Sequence, residues 1–154
     1  MAKNRGKQFE AKFKLDFLKL EGSSIDRLYD TMNGYKAIKQ IADYIGYVYP
    51  NIFYLECKSH AGASIPMRNI TQYDNLCSKI GIKGVRSGVV LWLTEKDKVF
   101  YIPASTIKQM RQDGEKSIGL RHIDKYNIIE IPSIKKRVFL DSDYSILKTL
   151  KEGE

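Results

Sequence analysis

Three side chains near the middle of the chain have types and spacing that fit phosphodiester hydrolysis: Asp43, Glu56 and Lys58. Glu56 and Lys58 close an apolar run, Ile52-Phe53-Tyr54-Leu55-Glu56-Cys57-Lys58, and Asp43 lies 13 residues upstream of Glu56. Two carboxylates make a hard oxygen site of the kind Mg²⁺ takes, alongside waters and phosphate oxygens. A metal there polarises the phosphate and lowers the pKa of a bound water. A lysine positions that water or neutralises charge on the pentavalent transition state. The backbone carbonyl of Cys57 offers one more oxygen ligand, and Mn²⁺ is the expected substitute ion.

These groups act together only if the elements bearing them adjoin. If residues 52–58 form a strand, side chains alternate, so Tyr54, Glu56 and Lys58 face one side and Phe53, Leu55 and Cys57 the other. Charges at the end of an apolar strand are expensive to bury unless something uses them. Asp43 falls in Ala42-Asp43-Tyr44-Ile45, read as a neighbouring strand joined to the first around Tyr49-Pro50-Asn51. That hairpin brings Asp43 beside Glu56. An ion pair at a sheet edge also fits the pattern. Glu10-Ala11-Lys12 repeats the Glu-x-Lys spacing, but it sits in a helical stripe with no acid upstream.

Around this centre, Phe9, Phe13, Phe17 and Leu20 recur at helical spacing over 6–20, with Gly22 as the stop. Residues 24–29 read as a strand and 31–39 as a short projecting segment. A helix is expected over 69–80, ended by Gly81, with Ile70, Tyr73, Cys77 and Ile80 on its core side. Strands follow at 88–93 and 99–102, a helix at 103–111, short strands near 128–131 and 137–140, and a last helix over 142–151. No repeat or linker interrupts the order. Strands in the middle with helices before and after predict an α/β fold, a central mixed β-sheet flanked by helices, as a single domain over 1–154.

Composition points to the partner. The 154 residues carry 26 Lys plus Arg against 18 Asp plus Glu, a net charge of +8. Such an excess suits a polyanion, because neutralising phosphates releases condensed counterions. Lys3, Arg5, Lys7, Lys12, Lys14 and Lys19 gather at the start, and Lys135-Lys136-Arg137 form a second knot. Arg5, Lys7, Arg27, Lys36 and Lys39 are the candidate phosphate contacts. Six of the ten tyrosines fall between Tyr29 and Tyr54, where they suit either base stacking or half-buried strands. With 43% hydrophobic and 29% charged residues, the chain is neither a disordered tail nor collagen-like. Its longest apolar run, Val89-Val90-Leu91-Trp92-Leu93, is far short of the about 20 residues a bilayer requires, so no membrane partner is expected. The basic start runs into an amphipathic stretch, which reads as no signal peptide and a cytoplasmic protein. Cys57 and Cys77 are expected to be reduced. His60 and His122 are isolated and are assigned nothing.

Asp43-Tyr44-Ile45-Gly46-Tyr47 followed by Phe53-Tyr54-Leu55-Glu56-Cys57-Lys58-Ser59 resembles the active-site strands of the PD-(D/E)xK nuclease superfamily. More narrowly it is similar to the RecU family of Holliday junction resolvases of low-GC Gram-positive bacteria and their phages. Asn4-Arg5-Gly6 with Glu10 resembles that family's opening helix. Ile65-Pro66-Met67 with Ile70 and Gln72 resembles its loop and helix after the motif, and residues 88–93 with 99–102 its later hairpin. The resemblance implies a Mg²⁺-dependent homodimer that nicks opposed strands of a four-way DNA junction. It implies that Asp43 and Glu56 hold metal, Lys58 acts on the attacking water, Glu10 supports the site and Gln72 steadies metal, water or DNA. The residue before the aspartate, often Thr in that family, is Ala42 here. The stalk that enters the junction centre is short, with Tyr35, Lys36 and Lys39 as its candidates. Alternative functions are an endonuclease acting on duplex or flapped DNA and a non-catalytic DNA-binding modulator of recombination.

Overall fold

The computed structural model describes residues 5–29, 32–33, 36–37 and 41–151, with the backbone alone described at 32–33 and 36–37. The phenylalanine stripe forms helix α1 (Arg5–Phe17), burying Phe9, Phe13 and Phe17. Strands β1 (Ser24–Arg27), β2 (Met32–Asn33), β3 (Lys36–Ala37), β4 (Tyr44–Val48) and β5 (Asn51–His60) follow, then β6 (Ser64–Pro66) and helix α2 (Tyr73–Cys77). The second half holds β7 (Val85–Leu93), β8 (Lys98–Pro103), helix α3 (Ala104–Gln112), β9 (Ser117–Gly119), β10 (Ile129–Ile131), β11 (Ser133–Lys135) and β12 (Leu140–Ser142). The central sheet is six-stranded, in the order β1-β4-β5-β7-β8-β10. β5 and β7 pair in parallel and every other neighbour pair is antiparallel, so the sheet is mixed.

Each face of the sheet has its own apolar layer. On one, α1 and the C-terminal segment cover Phe53, Leu55, Cys57, Val90 and Trp92. Phe13 meets Tyr44 and Tyr144 edge-on, with ring centroids 5.4 and 5.1 Å away. Asp16, also buried, holds this layer together: it accepts Lys12 Nζ at 2.6 Å and the Ser142 backbone N–H at 3.0 Å, fastening α1 to β12. On the other face, residues of α2 and α3 pack over Val89, Leu91, Phe100 and Ile102. Parallel pairing of β5 with β7 requires a crossover, and β6 with α2 supplies it on this second face.

Several expectations need correction. The helix expected over 69–80 is a 3-10 turn at Met67–Asn69 and then the short α2. The break falls at Thr71 and Gln72, whose backbone N–H groups donate to the Glu56 carboxylate. Within α2, Leu76 is the buried residue, whereas Cys77 is half-buried and Ile80 exposed. The last helix is a 3-10 segment, Tyr144–Thr149. β6, β9 and β11, each three residues long, carry too little alternation to be read locally. In the expected projecting segment, β2 pairs with β3 antiparallel. Tyr35 and Lys39 lie outside the described residues.

Candidate active site

Tyr44, the first residue of β4, stands opposite Leu55 of β5, so Asp43 comes alongside Glu56. The Asp43 backbone N–H donates to the Leu55 carbonyl at 3.0 Å. Its side chain then continues the pairing that the backbone gives up: Oδ2 accepts the Cys57 N–H at 2.8 Å. Glu56 points to the second face, where Oε1 accepts the Thr71 N–H and hydroxyl, each at 3.2 Å, and Oε2 accepts the Gln72 N–H at 3.3 Å. Gln72 also reaches the other acid, with Nε2 donating to Asp43 Oδ1 at 3.1 Å. One residue thus spans both carboxylates.

Lys58 lies on the same side as Glu56, with Nζ 3.2 Å from Glu56 Oε1. Glu56 is 1% exposed. Burial pushes its carboxyl above the ordinary value and the Lys58 charge pulls it back in part. Cys57 turns the other way, its thiol buried in the α1 layer and pushed well up by that burial. In an extended strand a residue's N–H and C=O point to the same edge, so the Cys57 carbonyl faces the side on which Asp43 lies.

A second group of charges flanks the first. Arg27, at the end of β1, holds Glu10 Oε2 at 3.4 Å through one guanidinium nitrogen and Asp43 Oδ1 at 3.5 Å through the other. The guanidinium carbon sits 5.3 Å from the Tyr44 ring centroid and 5.7 Å from that of Tyr29, within cation–π range. Burial pushes the Glu10 carboxyl up, and the Asp43 charge adds to that while Arg27 opposes it. Tyr44 donates its hydroxyl to the Glu10 backbone carbonyl at 3.2 Å.

The fold therefore gathers Asp43, Glu56, Lys58, Gln72, Glu10 and Arg27 at one place. Arg27, read from the sequence as a phosphate contact, is held here by two carboxylates. Arg5 and Lys7 lie exposed on the first turn of α1. Thr71 was missed, because nothing in its local sequence marks a residue that caps a carboxylate 15 positions upstream. Among the described residues, no group of three or more His, Cys, Asp or Glu side chains is arranged to hold a metal. No helix of the described chain is long and apolar enough to cross a membrane.

The model of one family, Recombination protein U (RecU), matches residues 5–142. Among solved structures, the chain is similar to Hjc, a Holliday junction resolvase of the archaeal hyperthermophile Archaeoglobus fulgidus. That likeness has a TM-score of 0.57 at 16% identity and covers 79% of this chain and 93% of that one. At this identity it bears on the fold alone. No curated protein matches the chain.

Proposed function

We propose that this chain, which belongs to the Recombination protein U (RecU) family of Holliday junction resolvases, is a metal-dependent endonuclease with a PD-(D/E)xK site that nicks four-way DNA junctions in pairs. The observation that carries the reading is the convergence of Asp43 and Glu56 on Gln72, with Lys58 at 3.2 Å from Glu56.

The donor set fits Mg²⁺. It is made of oxygen alone, and two carboxylates are the number this ion commonly takes when substrate phosphate completes its shell. Asp43, Glu56 and the Cys57 carbonyl would hold it, with Mn²⁺ as substitute. When bound, the ion supplies Lewis-acid polarisation of the phosphate and a lowered pKa for water. The protein groups supply the rest. Lys58 is partly exposed, so its ammonium can leave Glu56 for the attacking water or the charge growing on the phosphate. Gln72 and the Cys57 N–H fix the Asp43 carboxylate from two sides. Thr71 holds Glu56, whose buried charge strengthens its attraction for a cation.

A four-way junction has two-fold character, and a homodimer presents two such sites related by the same symmetry. Arg5, Lys7 and Arg27, with Tyr35, Lys36 and Lys39, are the proposed DNA contacts.

The test compares wild type with Asp43→Asn on a synthetic four-way junction. In Mg²⁺ the wild type should cut at paired positions, and the variant should lose on the order of 10²–10³-fold in rate. Binding in Ca²⁺ should be kept by both. An intact junction at stoichiometric wild type, in Mg²⁺ and in Mn²⁺, would refute the activity. Equal cutting of linear duplex would move the substrate to ordinary DNA.

A further inference from the structure

The far end of the sheet holds a groove that the nuclease chemistry does not use. It opens where β5 and β7 begin and β8 ends, lined by Ile80, Ile82, Lys79, Lys83, Pro103 and Leu150 among others, with a volume of about 590 Å³. From Asn51 at its edge to Glu56 is five residues of β5, or about 17 Å at a strand's rise per residue. An occupant here leaves the carboxylates clear.

The rim is a built turn. Gly81 and Gly84 both take positive φ, +85° and +79°, a conformation other residues enter only with strain. The Val85 N–H donates to the Ile82 carbonyl at 3.0 Å, and the Ile52 N–H donates to that of Gly84 at 2.8 Å. These bonds hold the turn with Ile82 half in solvent (50% exposed) and Lys83 beside it. Behind it, Lys79 lies 4.7 Å from the Tyr54 ring centroid, so its ammonium is anchored at the wall. Ile52, whose N–H meets this turn, is itself exposed.

Two chemistries are therefore combined: an aliphatic floor, and cations at its margin with no Asp or Glu among the described residues that line it. We infer that this groove binds an acidic peptide segment of a protein partner, with an apolar side chain seated between Ile80, Ile82 and Pro103 and its carboxylates facing Lys79 and Lys83. Charge complementarity selects an anionic occupant. The lining favours peptide over nucleic acid, since single strands bind by stacking bases on aromatic platforms along a cationic groove, and no aromatic side chain is among the described residues that line this one. The inference stands apart from the nuclease reading, because no residue it uses belongs to that site.

The probe is a fluorescein-labelled peptide of five glutamates followed by leucine and phenylalanine, titrated with the full chain and read by anisotropy. Saturable binding is expected, weakened about tenfold or more (1.4 kcal/mol per factor of ten) by Ile82→Asp and by Lys83→Glu separately. Both positions are exposed, so the variants should fold, and circular dichroism with an unchanged melting temperature verifies this. Replacing the leucine and phenylalanine by serines should weaken binding as much. Equal affinity for the serine peptide, no effect of either substitution, or no binding at all would overturn the proposal. So would displacement of the peptide by single-stranded DNA in wild type and not in Lys83→Glu, which assigns the groove to nucleic acid. Concentration-dependent self-association abolished by Ile82→Asp would assign it to a second copy.

Discussion

Asp43 Oδ2 accepts the backbone N–H of Cys57 at 2.8 Å, and Cys57 is the residue between Glu56 and Lys58. The first acid of the site is thus bonded to the strand that carries the other two groups. Their relative placement does not depend on a loop. Any shift of β4 along β5 would break this bond along with the ladder, so the arrangement has the rigidity of the sheet itself.

Burial of Glu56 should make stability pH-dependent when no divalent cation is bound. Its carboxyl is raised above 4.5 by burial, so its contribution to stability is fully present below that value and is lost as pH rises through the folded pKa. In chelator, wild type should therefore lose melting temperature relative to Glu56→Gln as pH climbs above 4.5. Mg²⁺ should reverse the loss, since the cation favours the ionised form. Thermal melts across pH, with and without Mg²⁺, check this. Curves that stay parallel would mean that Lys58 already offsets the cost of the buried charge.

Gln72→Ala removes the amide that steadies Asp43 and leaves both carboxylates in place. Partners of this kind cost 10–100-fold in metal affinity when removed. Cutting at limiting Mg²⁺ should fall by about that factor and recover substantially at high Mg²⁺. Isothermal titration with Mn²⁺ measures the affinity directly, and an unchanged value would remove Gln72 from the site.

Arg27 lies 3.5 Å from Asp43 Oδ1, where it would compete with a bound cation. Arg27→Ala should lower the Mg²⁺ concentration needed for half-maximal cutting. It should also weaken junction binding, with the salt dependence of log K falling by about 0.9 for one lost phosphate contact. The two effects are separable by binding isotherms in Ca²⁺ at several salt concentrations. A higher Mg²⁺ requirement would show that the guanidinium holds the carboxylate in its working position.

The α1 layer should be costly to disturb. Phe13 is fully buried, packed edge-on against rings from β4 and from the C-terminal segment. Phe13→Ala should destabilise the fold by about 3–5 kcal/mol, read from the shift of the urea midpoint at unchanged slope. A loss below about 1 kcal/mol would mean that the layer collapses into the space.

The adjacency of Asp43, Glu56 and Lys58 was legible from the chain because strand alternation is a local, period-two property. Residues 52–58 announce which side chains share a face, and the expected hairpin sets Asp43 beside Glu56. The phenylalanine stripe of α1 is legible for the same reason at helical period. The interruption of the second helix was not, since residues 69–80 look helical when read alone. Thr71 and Gln72 leave the helix because a buried carboxylate 15 and 16 positions upstream needs their N–H groups. Likewise, nothing near Asp16 reveals that it accepts the Ser142 N–H across 126 positions.

The amino-acid order by itself determined the α/β alternation, the basic balance and the identity of the acids and lysine, because these are set by residue type and by periods of two and 3.6. The tertiary structure alone decided that Gln72 spans both acids, that Arg27 sits between Glu10 and Asp43, and that the far end of the sheet opens as a groove. Each of those depends on groups distant in sequence meeting across a packed sheet, where burial of charge and the need to satisfy every polar atom choose the partners.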